Sequence, residues 1–124
     1  MNNFFNFLGL AKRAGNVIEG YSKCDEERNR KTIFLFIISN DASNSTKKKF
    51  KNHCLIKNIR FIEDFSKEEL GTSIGREEVK ILAITDKNMA NKLYTLYEDK
   101  NKKINRGWFY CQKSEYMNWQ KNLR

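Results

Sequence analysis

At 124 residues the chain is long enough for one domain with a hydrophobic core and too short for two comfortable ones. Forty per cent hydrophobic residues, nine Phe and five Tyr among them, exclude a wholly disordered chain, while 24 Lys plus Arg against 15 Asp plus Glu give a formal charge of +9 that favours an anionic partner, nucleic acid first. The longest apolar run, Ile33 to Ile38, is far shorter than the roughly 20 residues that span a bilayer, and no leader-like segment is visible, which points to a cytoplasmic protein with no membrane partner.

Phe4, Phe5, Leu8, Ala11 and Ala14 recur at helical spacing and Gly15 follows them, so the chain should open with a helix closed by glycine. An extended piece around Val17 and Ile18 leads to Gly20, which begins a second, polar helix predicted through Lys23, Glu27 and Arg30. Thr32 to Ser39 (TIFLFIIS) is continuously apolar, β-branched and aromatic, the pattern of a strand covered on both faces, and it should be central in the sheet. Asn40 to Ser43 offers side chains able to cap a helix that carries Thr46, Phe50 and Cys54 at i, i+4 and i+8. Lys47, Lys48, Lys49 and Lys51 surround that helix and read as its solvated face.

Asn58 to Ile62 predicts a short strand, and Ser66-Lys67-Glu68-Glu69 has the form of a capping box, so a short helix should start at Ser66 and stop near Gly75. Val79 to Ile84 gives another strand, and Thr85-Asp86 can cap a last core helix with Met89, Leu93, Leu96 and Tyr97 on its inner side. This order of strands and helices predicts an α/β fold, a three-layer α-β-α sandwich around a small mixed sheet of about four strands. From Glu98 the pattern gives way to a polar linker and then to a basic, aromatic-rich stretch with Trp108, Phe109, Tyr110, Tyr116 and Trp119. The expected organisation is therefore a core domain over 1–97 and an extension over 98–124.

No catalytic site is visible. Cys24, Cys54 and Cys111 are odd in number, far apart and without CxxC or Cys/His spacing, which argues against a disulfide framework and a zinc site. His53 beside Cys54 makes a poor nucleophile-base pair, since adjacent residues on a helix point in different directions. Neither a metal nor a small-molecule cofactor is expected.

Four segments in order carry a resemblance: Phe7-Leu8-Gly9-Leu10-Ala11-Lys12-Arg13-Ala14-Gly15, then Asn40-Asp41-Ala42-Ser43 with Thr46-Lys47-Lys48-Lys49, then Leu70-Gly71 to Ile74-Gly75-Arg76-Glu77, and Ala83-Ile84-Thr85-Asp86. Together, over about residues 4 to 97, they resemble the ribosomal L7Ae/L30e family in its bacterial YlxQ-type form. That resemblance implies a non-catalytic RNA-binding protein that recognises kink-turns, RNA duplexes bent sharply at a bulge flanked by tandem G·A pairs. It also implies ribosomal RNA, and with it the large ribosomal subunit, as the setting.

In the family two elements meet the RNA: the first turn of the second helix, and the loop from the fourth helix into the last strand. The resemblance maps them here onto Gly20, Tyr21, Ser22, Lys23, Glu26 and Arg30, and onto Gly75, Arg76, Glu77 and Glu78. Where the family carries Gly-Thr-Asn-Glu-x-x-Lys, this chain has Gly20-Tyr21-Ser22-Lys23-Cys24-Asp25-Glu26, so Lys23 replaces a glutamate and Glu26 a lysine. A carboxylate at that place would repel a nearby phosphate, and Asp25 adds to the effect. Two other classes fit the residues less well: a substrate-binding subunit of an RNA-modifying enzyme, and a protein-protein adaptor that docks through the aromatic extension.

Overall fold

The computed structural model of the chain describes residues 2–104, and side chains for residues 3–99. Its elements run α1 (Asn2–Arg13), β1 (Val17–Glu19), α2 (Tyr21–Glu27), β2 (Leu35–Ile38), α3 (Asn44–Lys57), β3 (Arg60–Ile62), α4 (Lys67–Ser73), β4 (Ile81–Ile84) and α5 (Lys87–Ile104). The four strands form one mixed sheet in the order β1-β4-β2-β3, with β2 parallel to β3 and the other neighbours antiparallel.

The sheet is covered on both faces because its central strands are apolar at every position. All four residues of β2 and all four of β4 are buried. Successive side chains of a strand point to opposite faces. Leu35 and Ile37, with Leu82 and Ile84, accordingly join Phe4, Leu8, Leu70 and Leu93 of α1, α4 and α5 on one side. Phe36 and Ile38, with Ile81 and Ala83, join Cys24, Phe50 and Cys54 of α2 and α3 on the other. Two cores sharing one sheet make the α-β-α sandwich.

The caps follow the sequence closely. Ser43 accepts a hydrogen bond from the Thr46 N–H at the start of α3, Ser66 and Glu69 form the capping box of α4, and Asp86 accepts from the Met89 N–H at the start of α5. Strands are shorter than predicted where helix caps claim their ends. Asn58 is the left-handed C-cap of α3 (φ 59°), and it leaves only Arg60–Ile62 for β3.

Two expectations are corrected. The second helix ends at Glu27 instead of running through Arg30: Cys24 is its only buried residue, so no apolar stripe holds a further turn in place. The predicted polar linker after Tyr97 is helical, since α5 continues to Ile104. Of the extension, residues 105–124, with Trp108, Phe109, Tyr110, Tyr116 and Trp119, lie outside the described residues.

His53 and the two described cysteines have structural surroundings. His53 is buried edge-on against Phe36, with its Nδ1 3.1 Å from the Arg28 guanidinium. Burial, and then the Arg28 charge, hold its pKa below the ordinary value. Burial pushes the Cys24 and Cys54 thiols up to about 12, which keeps both protonated at neutral pH and removes them as nucleophiles. No helix among the described residues is long and apolar enough to cross a membrane.

Candidate nucleic-acid interface

Sheet register decides which loops meet. Because β1 pairs antiparallel with β4, its last residue Glu19 lies opposite Leu82, and the next N–H, that of Gly20, donates to the Ile81 carbonyl at 2.9 Å. The start of α2 therefore sits against the segment that carries the chain from α4 into β4. Between them opens a groove of about 570 Å³ lined by Gly15, Val17, Ile18, Glu19, Gly20, Lys23, Lys31, Arg76, Glu78, Val79 and Thr85. Lys23 and Arg76 thus share one concave surface.

Gly20 makes the turn into α2 with φ 90° and ψ 160°, a region open essentially to glycine alone. It is the N-cap and supplies no side chain, so no side-chain oxygen competes for the first N–H groups of α2. An ideal Cβ built at Gly20 would meet nothing within 4 Å, so the backbone angles and not crowding forbid a larger residue. Gly20→Ala is expected to lower stability by about 1 kcal/mol through that backbone strain. Thermal unfolding checks it; an unchanged midpoint would show that the turn can relax without cost.

On the other wall, α4 ends in a Schellman motif. The Gly75 N–H donates to Thr72 O at 3.2 Å and the Arg76 N–H to Gly71 O at 2.8 Å, with Gly75 at φ 80°. Gly75 does end a helix, as its commonest role would have it, and by doing so it aims Arg76 into the groove. The Arg76 side chain is not simply solvated. Its Nε donates to Glu19 Oε1 at 2.8 Å, while the other oxygen of Glu19 pairs with Lys12 of α1.

The ten residues assigned from sequence divide by position. Gly20, Lys23, Arg76 and Glu78 line the groove, with Gly75 shaping its rim. Tyr21 leans away toward α3, edge-on to Phe50 and bonded through its hydroxyl to Lys49 Nζ at 3.0 Å. Ser22, Glu26 and Glu77 are exposed but do not line the groove. Arg30 lies in the turn after α2 and does not line the groove, whereas its neighbour Lys31 does.

Glu19, Lys12 and Lys31 were not singled out from the sequence. Period-2 alternation along β1 puts Val17 and Glu19 on one face and Ile18 on the other, but nothing in the sequence says that the first face is the one beside Lys12.

The acidic residues near the groove are largely compensated. Asp25 binds Lys49 Nζ and Arg28 Nε, both at 2.8 Å, and those two cations hold its carboxyl below the usual range. Its charge is therefore neutralised between the C-cap of α2 and α3. Glu78 pairs with Lys67 at 3.1 Å, and Glu19 with Lys12 and Arg76. The lining carries Lys23, Lys31 and Arg76 against Glu19 and Glu78, one positive charge in excess, and both carboxylates are also paired with cations just outside it, Lys12 and Lys67. Of the lysines considered a solvated face, Lys49 pairs with Asp25, Lys51 with Glu63, and Lys47 donates to the Asn40 carbonyl.

Residues 3–94 match the sequence profile of the ribosomal protein L7Ae/L30e/S12e/Gadd45 family. The chain belongs to that family. Among its relatives in the L7Ae group, the RNA-binding protein YlxQ of Bacillus subtilis (strain 168) is 35% identical over 95 residues, which are 77% of this chain and 95% of the relative. The RNA-binding protein YlxQ of Enterococcus faecium is 37% identical over 94 residues, covering 75% of this chain and 89% of its own. Among solved structures, a protein of unknown function from Bacillus halodurans C superposes with a TM-score of 0.72 at 29% identity, over 75% of this chain and 94% of that one. The 15.5 kD RNA binding protein of Giardia lamblia shares the L7Ae-type fold with a TM-score of 0.62 at 18% identity, over 72% of this chain and 79% of the other.

Proposed function

We propose that the chain is a non-catalytic RNA-binding protein and that the groove between α2 and the α4–β4 segment holds a sharply bent, kink-turn-like RNA, with ribosomal RNA in the cytoplasm as its setting. One observation carries this reading: in a member of the L7Ae family, Gly20 and Lys23 of one predicted contact element and Arg76 of the other line a single groove with excess positive charge. The names of the YlxQ relatives supply the ligand class, RNA.

The physics is of a kind that reads shape. A-form RNA hides its bases in a deep, narrow groove, so a protein that inserts two elements at a bend gains contacts that a straight duplex cannot offer. Lys23 and Lys31 provide point charges, and Arg76 a planar fork suited to phosphate. Glu26 is exposed and does not line the groove.

Gel-shift titration should show tighter binding to a kink-turn than to the same duplex with its tandem G·A pairs disrupted. If three phosphates are neutralised, log affinity should fall against log salt with a slope of about −2 to −3. Equal affinity for the two RNAs would remove the kink-turn from the proposal.

A further inference from the structure

We propose that Glu19, an acidic residue on the wall of a groove for a polyanion, strengthens RNA binding by positioning Arg76. This rests on the groove being the RNA site. Simple electrostatics says the reverse: a carboxylate beside a phosphate repels it, and removing the carboxylate should tighten the complex.

The geometry favours positioning. The Glu19 side chain is only 14% exposed, whereas that of Arg76 is 61% exposed. A sheltered carboxylate thus holds the base of an outward guanidinium. The two oxygens of Glu19 are divided between two cations, Oε1 taking Arg76 Nε and Oε2 taking Lys12 Nζ. The triad consequently carries a net charge of +1 and not a bare negative charge. Only Nε of Arg76 is engaged among the described residues, which leaves the two terminal nitrogens to fork onto a phosphate.

Glu19 itself is fixed by the sheet, since it pairs with Leu82 across β1 and β4. Arg76 is fixed at its backbone by the α4 cap. An arginine held at its backbone and at Nε samples fewer rotamers before RNA arrives than a free one, so less freedom is lost in the complex.

Two variants separate the effects. Glu19→Met and Glu19→Gln both remove the charge, but only Glu19→Met removes the acceptor for Nε. Each is titrated against the kink-turn and its G·A-disrupted counterpart, alone and in an Arg76→Ala background. Positioning predicts that Glu19→Met weakens binding about three- to tenfold, with Glu19→Gln in between. It also predicts that Glu19→Met has little effect, under about twofold, once Arg76 is gone. In the free protein the Arg76 Nε–H resonance, slow to exchange in the parent, should broaden or vanish in Glu19→Met.

Unchanged or tighter binding by Glu19→Met overturns the inference, and so does an equal loss with and without Arg76 or a resonance that persists. Because parent and variant can be compared on either RNA, equal binding of the two RNAs overturns the bent-RNA reading alone. Failure to bind either RNA overturns both.

Discussion

Arg76→Ala is expected to weaken RNA binding by about 2 kcal/mol, roughly 30-fold, while leaving the fold intact. The size follows from the bond type. A guanidinium on a phosphate makes charge-assisted, commonly paired hydrogen bonds, each stronger than a neutral one, and truncation leaves the phosphate facing a groove with no fork in it. The small effect on stability follows from exposure: the Arg76 side chain is 61% exposed and belongs to neither core, so its truncation opens no cavity, and Glu19 keeps Lys12 as a partner.

Arg76→Lys provides the sharper comparison. It keeps the charge but not the planar fork or the Nε–H that meets Glu19, so it should recover only part of the lost affinity. Lys23→Ala removes a point charge alone and should cost less than Arg76→Ala, again with the salt slope reduced by about one. Filter binding at several salt concentrations measures all three. If Arg76→Ala binds the kink-turn as tightly as the parent, the groove is not where the RNA sits.

The parts of the fold that could be read from sequence are those in which one residue decides locally. TIFLFIIS had to be a strand covered on both faces because it offers no polar side, and its buried core, Leu35–Ile38, is the centre of the sheet. Ser66 and Glu69 announce a helix start, and the capping box is present. The far end of α5 is not legible from apolar period, which stops at Tyr97. The helix goes on to Ile104 through a run rich in Lys, Glu, Asp and Asn that shows no apolar stripe. The end of α2 was overrun for the opposite reason, since its charged residues suit a helix but nothing apolar beyond Cys24 holds one against the sheet.

The candidate site shows the same division. Gly20, Gly75 and Arg76 stand out because glycine beside a charged residue at an element boundary is visible in one dimension, and the family resemblance ordered them. Glu19 and Lys12 acquire their meaning only when the β1–β4 register and the packing of α1 bring Lys12, Glu19 and Arg76 together. In one dimension Asp25 is a further repulsive charge; only the fold brings Lys49, on a different helix, over it.

The largest expected effect on stability comes from a residue with no charge at all. Gly71 is buried in α4, and an ideal Cβ placed on it lies 2.5 Å from Glu78 Cα, 2.7 Å from Glu78 N and 2.9 Å from Glu78 C. Those atoms are backbone and cannot swing aside. They are also tied down, since the Val79 N–H donates to Lys67 O at 3.0 Å, Lys67 pairs with Glu78, and the Arg76 N–H is bonded to Gly71 O itself.

Two effects oppose each other in Gly71→Ala. Alanine is the better helix former by about 1 kcal/mol, which alone would raise the melting temperature. Overpacking against a fixed backbone costs about 3 kcal/mol, the upper part of the usual range, because carbon atoms prefer separations nearer 3.5–4.0 Å. Overpacking should win by about 2 kcal/mol, equivalent to a fall of roughly 8–16 °C in the melting midpoint of a domain this size. Since the displaced segment carries both Arg76 and Glu78 to the groove, RNA affinity should fall with it, even at temperatures where the variant is fully folded. A midpoint that rises instead would mean that the α4–β4 crossing gives way easily, and an arginine held by so yielding a segment could not be the pre-arranged contact that shape recognition in this groove requires.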